Sequence, residues 1–509
     1  MMKAGTAPSP HAEEIRAMTQ EYFDVIIVGG GLSGIDAAYH LQTHCRRKSY
    51  VILENRDAVG GTWDLFRYPG IRSDSDMYTF GYSFHPWQKN SSISDGESIR
   101  TYIRETAEAY GIDRHIRFRH RVKSASWSSA DALWTVELER GPEREPVRLT
   151  CNFLFACTGY YDYAAGYAPA FAGAEKFRGR LVHPQHWPQD LDYTGKRVVV
   201  IGSGATAITI IPAMAETAAQ VTMLQRSPSY IVSRPSQDAF ALWLRRRLPI
   251  KLAYAIARWR NALYGLYLYN RCRRQPELIK RWIVGQVRQQ LGPGYDVKTH
   301  FTPRYNPWDQ RMCLAPDADF FHAIKGGKAD VVTDEIEAFT ETGVRLRSGQ
   351  ELPADIIVTA TGLKLQMLGG IKVAVDGKPV NFGERMNFKG VMFSDVPNLA
   401  SVFGYTNASW TLKSDLICAY VSRLIKYMDR RGYVQCTPRQ NDPAVKPQPW
   451  VDFSSGYIRR SLDLFPRQGS KKPWKLHQNY LLDTVTLRFG AVDDSALEFT
   501  RRAETRKAA

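Results

Sequence analysis

Two glycine-rich turns carry most of the chemical potential of this sequence. The first, Gly29-Gly30-Gly31-Leu32-Ser33-Gly34, follows the β-branched run from Phe23 to Val28 and opens a helical stretch through Leu41, with a second strand from Tyr50 to Leu53. Gly29 permits the tight turn, Gly31 lets backbone approach a pyrophosphate, and Gly34 lets helix pack close on strand, so that amides at the helix N-terminus face phosphate oxygens. Glu54, twenty residues after Gly34, is placed to accept from ribose hydroxyls. The second turn, Gly202-Ser203-Gly204-Ala205-Thr206-Ala207, follows the apolar strand from Arg197 to Ile201 and repeats the pattern with alanine in third place. Its next strand, Val221 to Leu224, ends in Gln225-Arg226-Ser227, and Arg226 stands nineteen residues after Ala207. A guanidinium there can take a 2′-phosphate in a bidentate grip, which predicts NADPH over NADH, although a surface arginine at a strand end would read the same way.

The residues around these turns refine the reading. Gly60-Gly61-Thr62-Trp63, then Tyr68-Pro69-Gly70 and Asp74, form a glycine and aromatic loop directly after the first acid, suited to lie along a flat ring system such as an isoalloxazine. An isolated tryptophan after glycines is also an ordinary packing residue. Between the two turns lies F-x-G-x-x-x-H-x-x-x-W-P, made of Phe177, Gly179, His183, Trp187 and Pro188. Two further segments, Phe153 to Gly159 and Asp355 to Gly362, are near copies, each an apolar strand ending in Thr-Gly.

The elements that must position these residues define an α/β fold class with two Rossmann-like dinucleotide-binding domains and a helical insertion. At 509 residues the chain exceeds what one core organises. The expected division is a disordered tail over 1–20, a discontinuous FAD domain over 21–159 and 363–509, an NADPH domain over 160–235 and 304–362, and the insertion over 236–303. Between Ala241 and Leu291 twelve basic residues face one acid, Glu277, a net charge of +11 within a chain total of +17. Interleaved tryptophans and tyrosines, with breaks at Pro249 and Pro276, predict basic amphipathic helices with either a solvated basic face or a peripheral contact to an anionic membrane. No groove-reading motif accompanies the charge, so nucleic acid is not an expected partner. Seven scattered cysteines without a C-x-x-C argue against a disulfide framework and a zinc site; no metal is expected, and a reducing cytoplasm is the expected compartment.

Taken together these motifs resemble the class B flavoprotein monooxygenases of the Baeyer-Villiger type, over about Glu21 to Ala491. Two fingerprints match at every fixed position: Phe177, Gly179, His183, Trp187 and Pro188 in one, Gly60, Gly61, Trp63, Tyr68, Pro69, Gly70 and Asp74 in the other. The resemblance implies FAD and NADPH as cofactors, with His183 acting in the linker between domains rather than as a base. It places Ser33, Thr62, Asp64 and Val122 at the FAD, with Asp74 beside it, and Arg72, Ser73, Thr206 and Ser227 near the nicotinamide nucleotide. The family's catalytic arginine maps to Arg311, with Asp74 as the partner that aims it. Many relatives carry lysine just before that arginine where this chain has Gln310, which leaves Arg226 as the main reader of the 2′-phosphate. The implied reaction is insertion of one oxygen of O2 beside a ketone carbonyl, through a C4a-peroxyflavin, to give an ester or lactone. Oxidation of sulfides or thioamides on the same scaffold is the nearest alternative, and a dinucleotide-sensing module without turnover is the remote one. The segment from Pro443 to Tyr480 and the basic insertion are the expected covers of the pocket.

Overall fold

The computed structural model describes residues 21–451 and 453–502; the tail expected over 1–20 lies outside them. The first sheet begins with β1 (Glu21–Val28), β2 (Tyr50–Leu53), β3 (Ile116–Arg117), β4 (His120–Ser128), β5 (Leu133–Arg140) and β6 (Glu145–Ala156). Its inner strands run parallel in the order β6-β1-β2-β3, and β4 and β5 join antiparallel on the far side of β6. All of β2 and the last four residues of β1 are buried β-branched or apolar residues, apart from Tyr50, as a strand covered on both faces requires. Helix α1 (Leu32–His44) crosses from β1 to β2, and α7 (Trp410–Arg431) packs on it from late in the chain. Lys372–Val375 adds parallel to β4 and Leu399–Ser401 parallel to β6, so late residues complete the first sheet.

The second sheet is wholly parallel. It comprises β7 (Arg180–Val182), β8 (Arg197–Ile201), β9 (Gln220–Gln225), β12 (Ala329–Thr333) and β13 (Ile356–Thr359), in the order β12-β9-β8-β13-β7. Helix α2 (Ala205–Ala215) links β8 to β9, and the pair β10 (Ile231–Arg234) and β11 (Cys313–Pro316) lies beside it, ahead of the short α6 (Asp319–Lys325). Between β10 and β11 the chain forms α3 (Ala239–Arg245), α4 (Ile250–Arg274) and α5 (Pro276–Leu291), with the interruptions at Pro249 and Gln275-Pro276. A proline cannot donate the helical N–H, and at the first turn of a new helix that loss is harmless.

The segments that follow β6 and β13 run beside each other between the sheets. Asp162 N donates to Lys364 O at 2.9 Å, Gln366 N to Tyr160 O at 2.9 Å, and Tyr167 N to Gly362 O at 3.1 Å. Both stretches follow the repeated Thr-Gly strand ends, so the repeat marks the two places where the chain crosses. All seven cysteines are buried free thiols.

Candidate active site

At the carboxyl ends of β1, β2 and β6 the chain encloses a cavity of about 680 Å3, within the range that small-molecule and cofactor sites occupy. Gly29 sits at φ +107°, and a Cβ there would stand 2.6 Å from the Cys157 carbonyl oxygen. Gly34 is not on the cavity wall; a Cβ on it would collide with the Gly29 carbonyl, so its role is to seat α1 against β1. Gly31 and Gly61 face each other, with a Cβ on Gly61 falling 3.2 Å from Gly31 Cα, so bare backbone walls the slot from two sides. Gly30 N donates to Glu54 Oε2 at 2.6 Å and Arg56 N donates to Glu54 Oε1 at 2.8 Å. Burial nevertheless raises the Glu54 pKa, against the lowering effect of those amides. A buried carboxylate beside two backbone-lined glycines, open to the cavity, fits the ribose and pyrophosphate of a dinucleotide.

Ser33, Thr62, Trp63, Asp74 and Val122 line the same cavity. Trp63 meets Phe80 edge-on with ring centres 5.6 Å apart, and Thr62 Oγ1 lies 3.3 Å from the Tyr163 hydroxyl. Asp64 is placed elsewhere: it is buried behind the wall, 2.6 Å from Arg56, 2.5 Å from Arg67 and 3.4 Å from Arg100. Its neighbour Arg56 lines the cavity, so Asp64 bears on the site by orienting a guanidinium rather than by touching a ligand.

Arg311 and Asp74 meet at the cavity wall. Their closest approach is 3.9 Å, from Nε to Oδ2, with side chains 39% and 24% exposed, so both reach the cavity while paired. Burial raises the Asp74 pKa while Arg311 and Arg72 pull it back; for Arg311 burial opposes the charge, and Asp74 with Tyr160, Tyr457 and Tyr161 outweighs it. Arg311 also borders a smaller aromatic hollow with Tyr160, Phe403, Trp410, Phe453 and Tyr457. The loop carrying it is tied down on two sides. Ser454 donates to Asp309 O through its amide and its hydroxyl, both at 2.9 Å, and from α4 Arg273 Nη1 reaches Asp309 Oδ1 at 2.7 Å while Tyr269 meets Trp308 edge-on at 5.8 Å.

Several wall residues carried no sequence signal. Tyr160 stacks on Trp410 with ring centres 5.5 Å apart, and the Trp410 indole donates to Ser33 Oγ at 2.8 Å. Tyr160 and Tyr161 follow the first Thr-Gly repeat, which could have drawn attention to them; Trp410 opens a helix 377 residues from Ser33, the turn residue it bonds, and had no such marker. Burial pushes the Tyr161 and Tyr163 phenols up to about 12, so both remain neutral hydrogen-bonding groups across the physiological range.

The second turn is more open. Gly202, at φ +133°, has the Ala360 carbonyl inside the space a Cβ would need, whereas Gly204 has nothing within 4 Å of such a Cβ. Ser203 Oγ donates to Ser227 O at 3.0 Å, closing the turn onto the end of β9. Ala205, Thr206 and Ala207 begin α2, and Arg226 and Ser227 are exposed. Ser73 and Arg72 lie on the wall of the first cavity, with Arg72 ion-paired to Asp319 at the start of α6. Gly70 touches α2: a Cβ on it would stand 2.7 Å from the Thr209 carbonyl and 2.8 Å from Ala213 Cβ. The loop from Tyr68 to Asp74 therefore spans from the first cavity to the helix of the second turn.

No residue of the segment from Phe177 to Pro188 lines the first cavity. Phe177 meets Phe339 edge-on, and at Gly179 a side chain would strike the Asp355 carbonyl. His183 Nδ1 accepts from Gln185 N at 3.2 Å, Gly166 lies against its ring, and burial lowers its pKa. Gln185 Nε2 donates to Asp162 O at 2.8 Å, His186 Nε2 lies 3.1 Å from Ala164 O, and half-buried Trp187 packs on the core of the second sheet. The segment thus holds the stretch after β6 that crosses between the two sheets.

Comparison with known proteins agrees with this arrangement. A family model described as flavin-binding monooxygenase-like matches residues 24–258. The chain is 53% identical over 483 residues to the FAD-containing monooxygenase EthA of Mycobacterium tuberculosis, covering 95% of this chain and 98% of EthA. Among solved structures, oxidized steroid monooxygenase bound to NADP superposes with a TM-score of 0.75 at 21% identity, over 94% of this chain and all of that one. A cyclohexanone monooxygenase bound to ε-caprolactone superposes with a TM-score of 0.74 at 19% identity, over 94% and 100% of the two chains. The paired glycine turns, the walled first cavity and the match along nearly the whole chain lead to one conclusion: this protein belongs to the class B, flavin-binding monooxygenases.

Proposed function

We propose that the protein is an FAD- and NADPH-dependent Baeyer-Villiger monooxygenase, taking O2 and a small ketone to an ester or lactone, and oxidising sulfides or thioamides in the same pocket. The observation that carries this reading is Arg311, held on the cavity wall beside Asp74 and an aromatic hollow. Gly29, Gly31, Ser33, Glu54, Gly61, Thr62, Trp63 and Val122 would hold FAD, and Gly202 to Ala207 with Arg226 and Ser227 would hold NADPH. The division into an FAD unit over 21–159 and 363–509 and an NADPH unit over 160–235 and 304–362 is supported by the strands each sheet recruits.

Bound there, the two cofactors supply hydride transfer and oxygen activation. The chain supplies charge, position and dryness. Arg311 cannot lose its proton at neutral pH, so it presents a permanent cation to the negative charge that develops on the substrate's carbonyl oxygen. Asp74 fixes the direction of that cation and balances its charge at the cavity wall. Tyr160, Trp410, Phe403 and Tyr457 give an apolar seat beside it, and the 453–458 segment is tied to the arginine loop through Ser454.

The test is Arg311→Ala. NADPH-driven bleaching of the flavin is expected to persist, while ester formation from a ketone falls roughly 100- to 1,000-fold, as for loss of one preorganised charge contact. Ketone oxygenation at the parental rate would sink the reading. Product identification with a ketone and a thioether side by side separates carbonyl from heteroatom oxidation.

A further inference from the structure

Helix α4 is built inside out. Its inward residues are Ala253, Tyr254, Ala257, Arg258 and Ala262, while its outward stripe is Leu252, Ile256, Trp259, Leu263 and Tyr267. Of the two arginines near its centre, Arg260 is exposed and Arg258 is turned to the interior, where its Nη1 donates to the carbonyls of Tyr78, Thr79 and Gly81 at 3.0, 3.2 and 2.7 Å. Arg258 is the one buried base of the segment; most of the others are exposed, so the solvated basic face that the composition suggested is present, with the apolar stripe beside it. Burying alanines and a capped cation satisfies the interior, and the large apolar side chains are left to the outside.

The stripe does not end with the helix. Trp259 packs on Tyr480, ring centres 5.2 Å apart, and the next turns carry Leu481, Leu482, Val485 and Phe489 outward. Across both segments these outward side chains are between 37% and 73% exposed. Large apolar patches of this kind mark interaction sites. Bases flank it: Arg246, Arg247, Lys251 and Arg260 are exposed, Arg260 also pairing with Asp238, and Arg247 and Arg260 lie over the rings of Trp243 and Phe240 at 4.7 and 4.6 Å.

We propose that this face docks on an anionic lipid bilayer. Exposed tryptophan and leucine flanked by arginine and lysine match the interface of such a surface, where the rings sit at headgroup level and the cations meet lipid phosphates. A second copy meeting through the same patch would bring two +11 segments together, which charge repulsion disfavours. No helix among the described residues is long and apolar enough to cross a membrane, so the contact is peripheral. Through Tyr269 and Arg273 the same helix holds the loop that ends in Arg311, so the docking face and the pocket share one rigid element.

The test uses the full-length flavoprotein in flotation with phosphatidylglycerol/phosphatidylcholine vesicles and with phosphatidylcholine alone. Binding is expected on the anionic vesicles, and high salt should weaken it about tenfold or more. Trp259→Glu and Phe489→Glu, both at exposed positions, should each reduce it by a further roughly tenfold while flavin content stays unchanged. Absence of flotation with anionic vesicles, or equal salt-independent flotation with neutral ones, would overturn the proposal. So would light scattering that finds a dimer which Trp259→Glu dissociates, with no vesicle binding.

Discussion

The two glycine turns are built alike in their backbones and differently in their surroundings. In each, the first glycine donates to the end of the next strand, Gly29 to Leu53 and Gly202 to Leu224, both at 2.8 Å. In each it also lies against the carbonyl that follows the neighbouring strand, Cys157 in one case and Ala360 in the other. Beyond that the units diverge. The first turn opens into a walled cavity and a buried acid, Glu54; the second leaves Gly204 uncovered and ends in the exposed Arg226. Their helices differ as well, since α1 buries Asp36 and His40 in its middle whereas the inner face of α2 is almost wholly apolar. One turn is suited to retaining a ligand through many turnovers, and the other to exchanging one at every turnover.

The sharpest way to break this comparison is to place a side chain at each first glycine. Gly29→Ala and Gly202→Ala both force a Cβ onto a carbonyl at positive φ, with strain on the order of 1–3 kcal/mol or more. Gly29→Ala is expected to purify without flavin, whereas Gly202→Ala should keep flavin absorbance and lose its bleaching by NADPH. Equal flavin loss in both variants would mean that the two sites are not separable. Next in size is Arg226→Ala, expected to raise KM for NADPH roughly 10- to 100-fold, the worth of a charge-assisted contact, with KM for NADH unchanged. If both KM values rise together, the 2′-phosphate is read elsewhere.

Helix α1 supplies a smaller test. Asp36 is pushed up to about 7 by burial and by the charge of Asp415, against the pull of His40, Ser414 and Arg258. A folded pKa above the unfolded value gives stability that is present at low pH and lost as pH rises through the folded value, here between about pH 4 and pH 7. Asp36→Asn has no proton to lose, so it should raise Tm at pH 8 on the order of 2–4 °C and do less at pH 5. A Tm increase that is the same at both pH values would refute the linkage. Smallest is Gly204→Ala, where φ is −81° and a Cβ meets nothing: Tm should stay within about 1 °C, as for a neutral surface change, so that any defect appears in KM for NADPH alone.

The backbone of both units was legible in the sequence because strands, turns and acids obey fixed spacings there. The repeated Thr-Gly ends likewise marked the crossing points, since a buried strand must stop where the chain turns away. What escaped was set by contacts between distant parts of the chain. Trp410 reaches Ser33 across 377 positions, and Asp64 turned out to hold three arginines behind the wall, which no local pattern encodes. The insertion shows the same limit: its helices and breaks followed from proline and apolar spacing, yet which face of α4 turns inward depended on three carbonyls near Met77 that only the folded chain brings to Arg258.

The seven buried thiols give the molecule a chemical resilience that its fold alone would not suggest. A flavin monooxygenase whose activated oxygen meets water before substrate releases hydrogen peroxide at its own doorstep. Peroxide attacks thiolates that are both ionised and accessible. Here burial raises the pKa of every cysteine, Cys45 and Cys272 to about 11 and the others further, and none is exposed. Idle turnover would therefore find no accessible thiolate to convert to sulfenic acid among these cysteines.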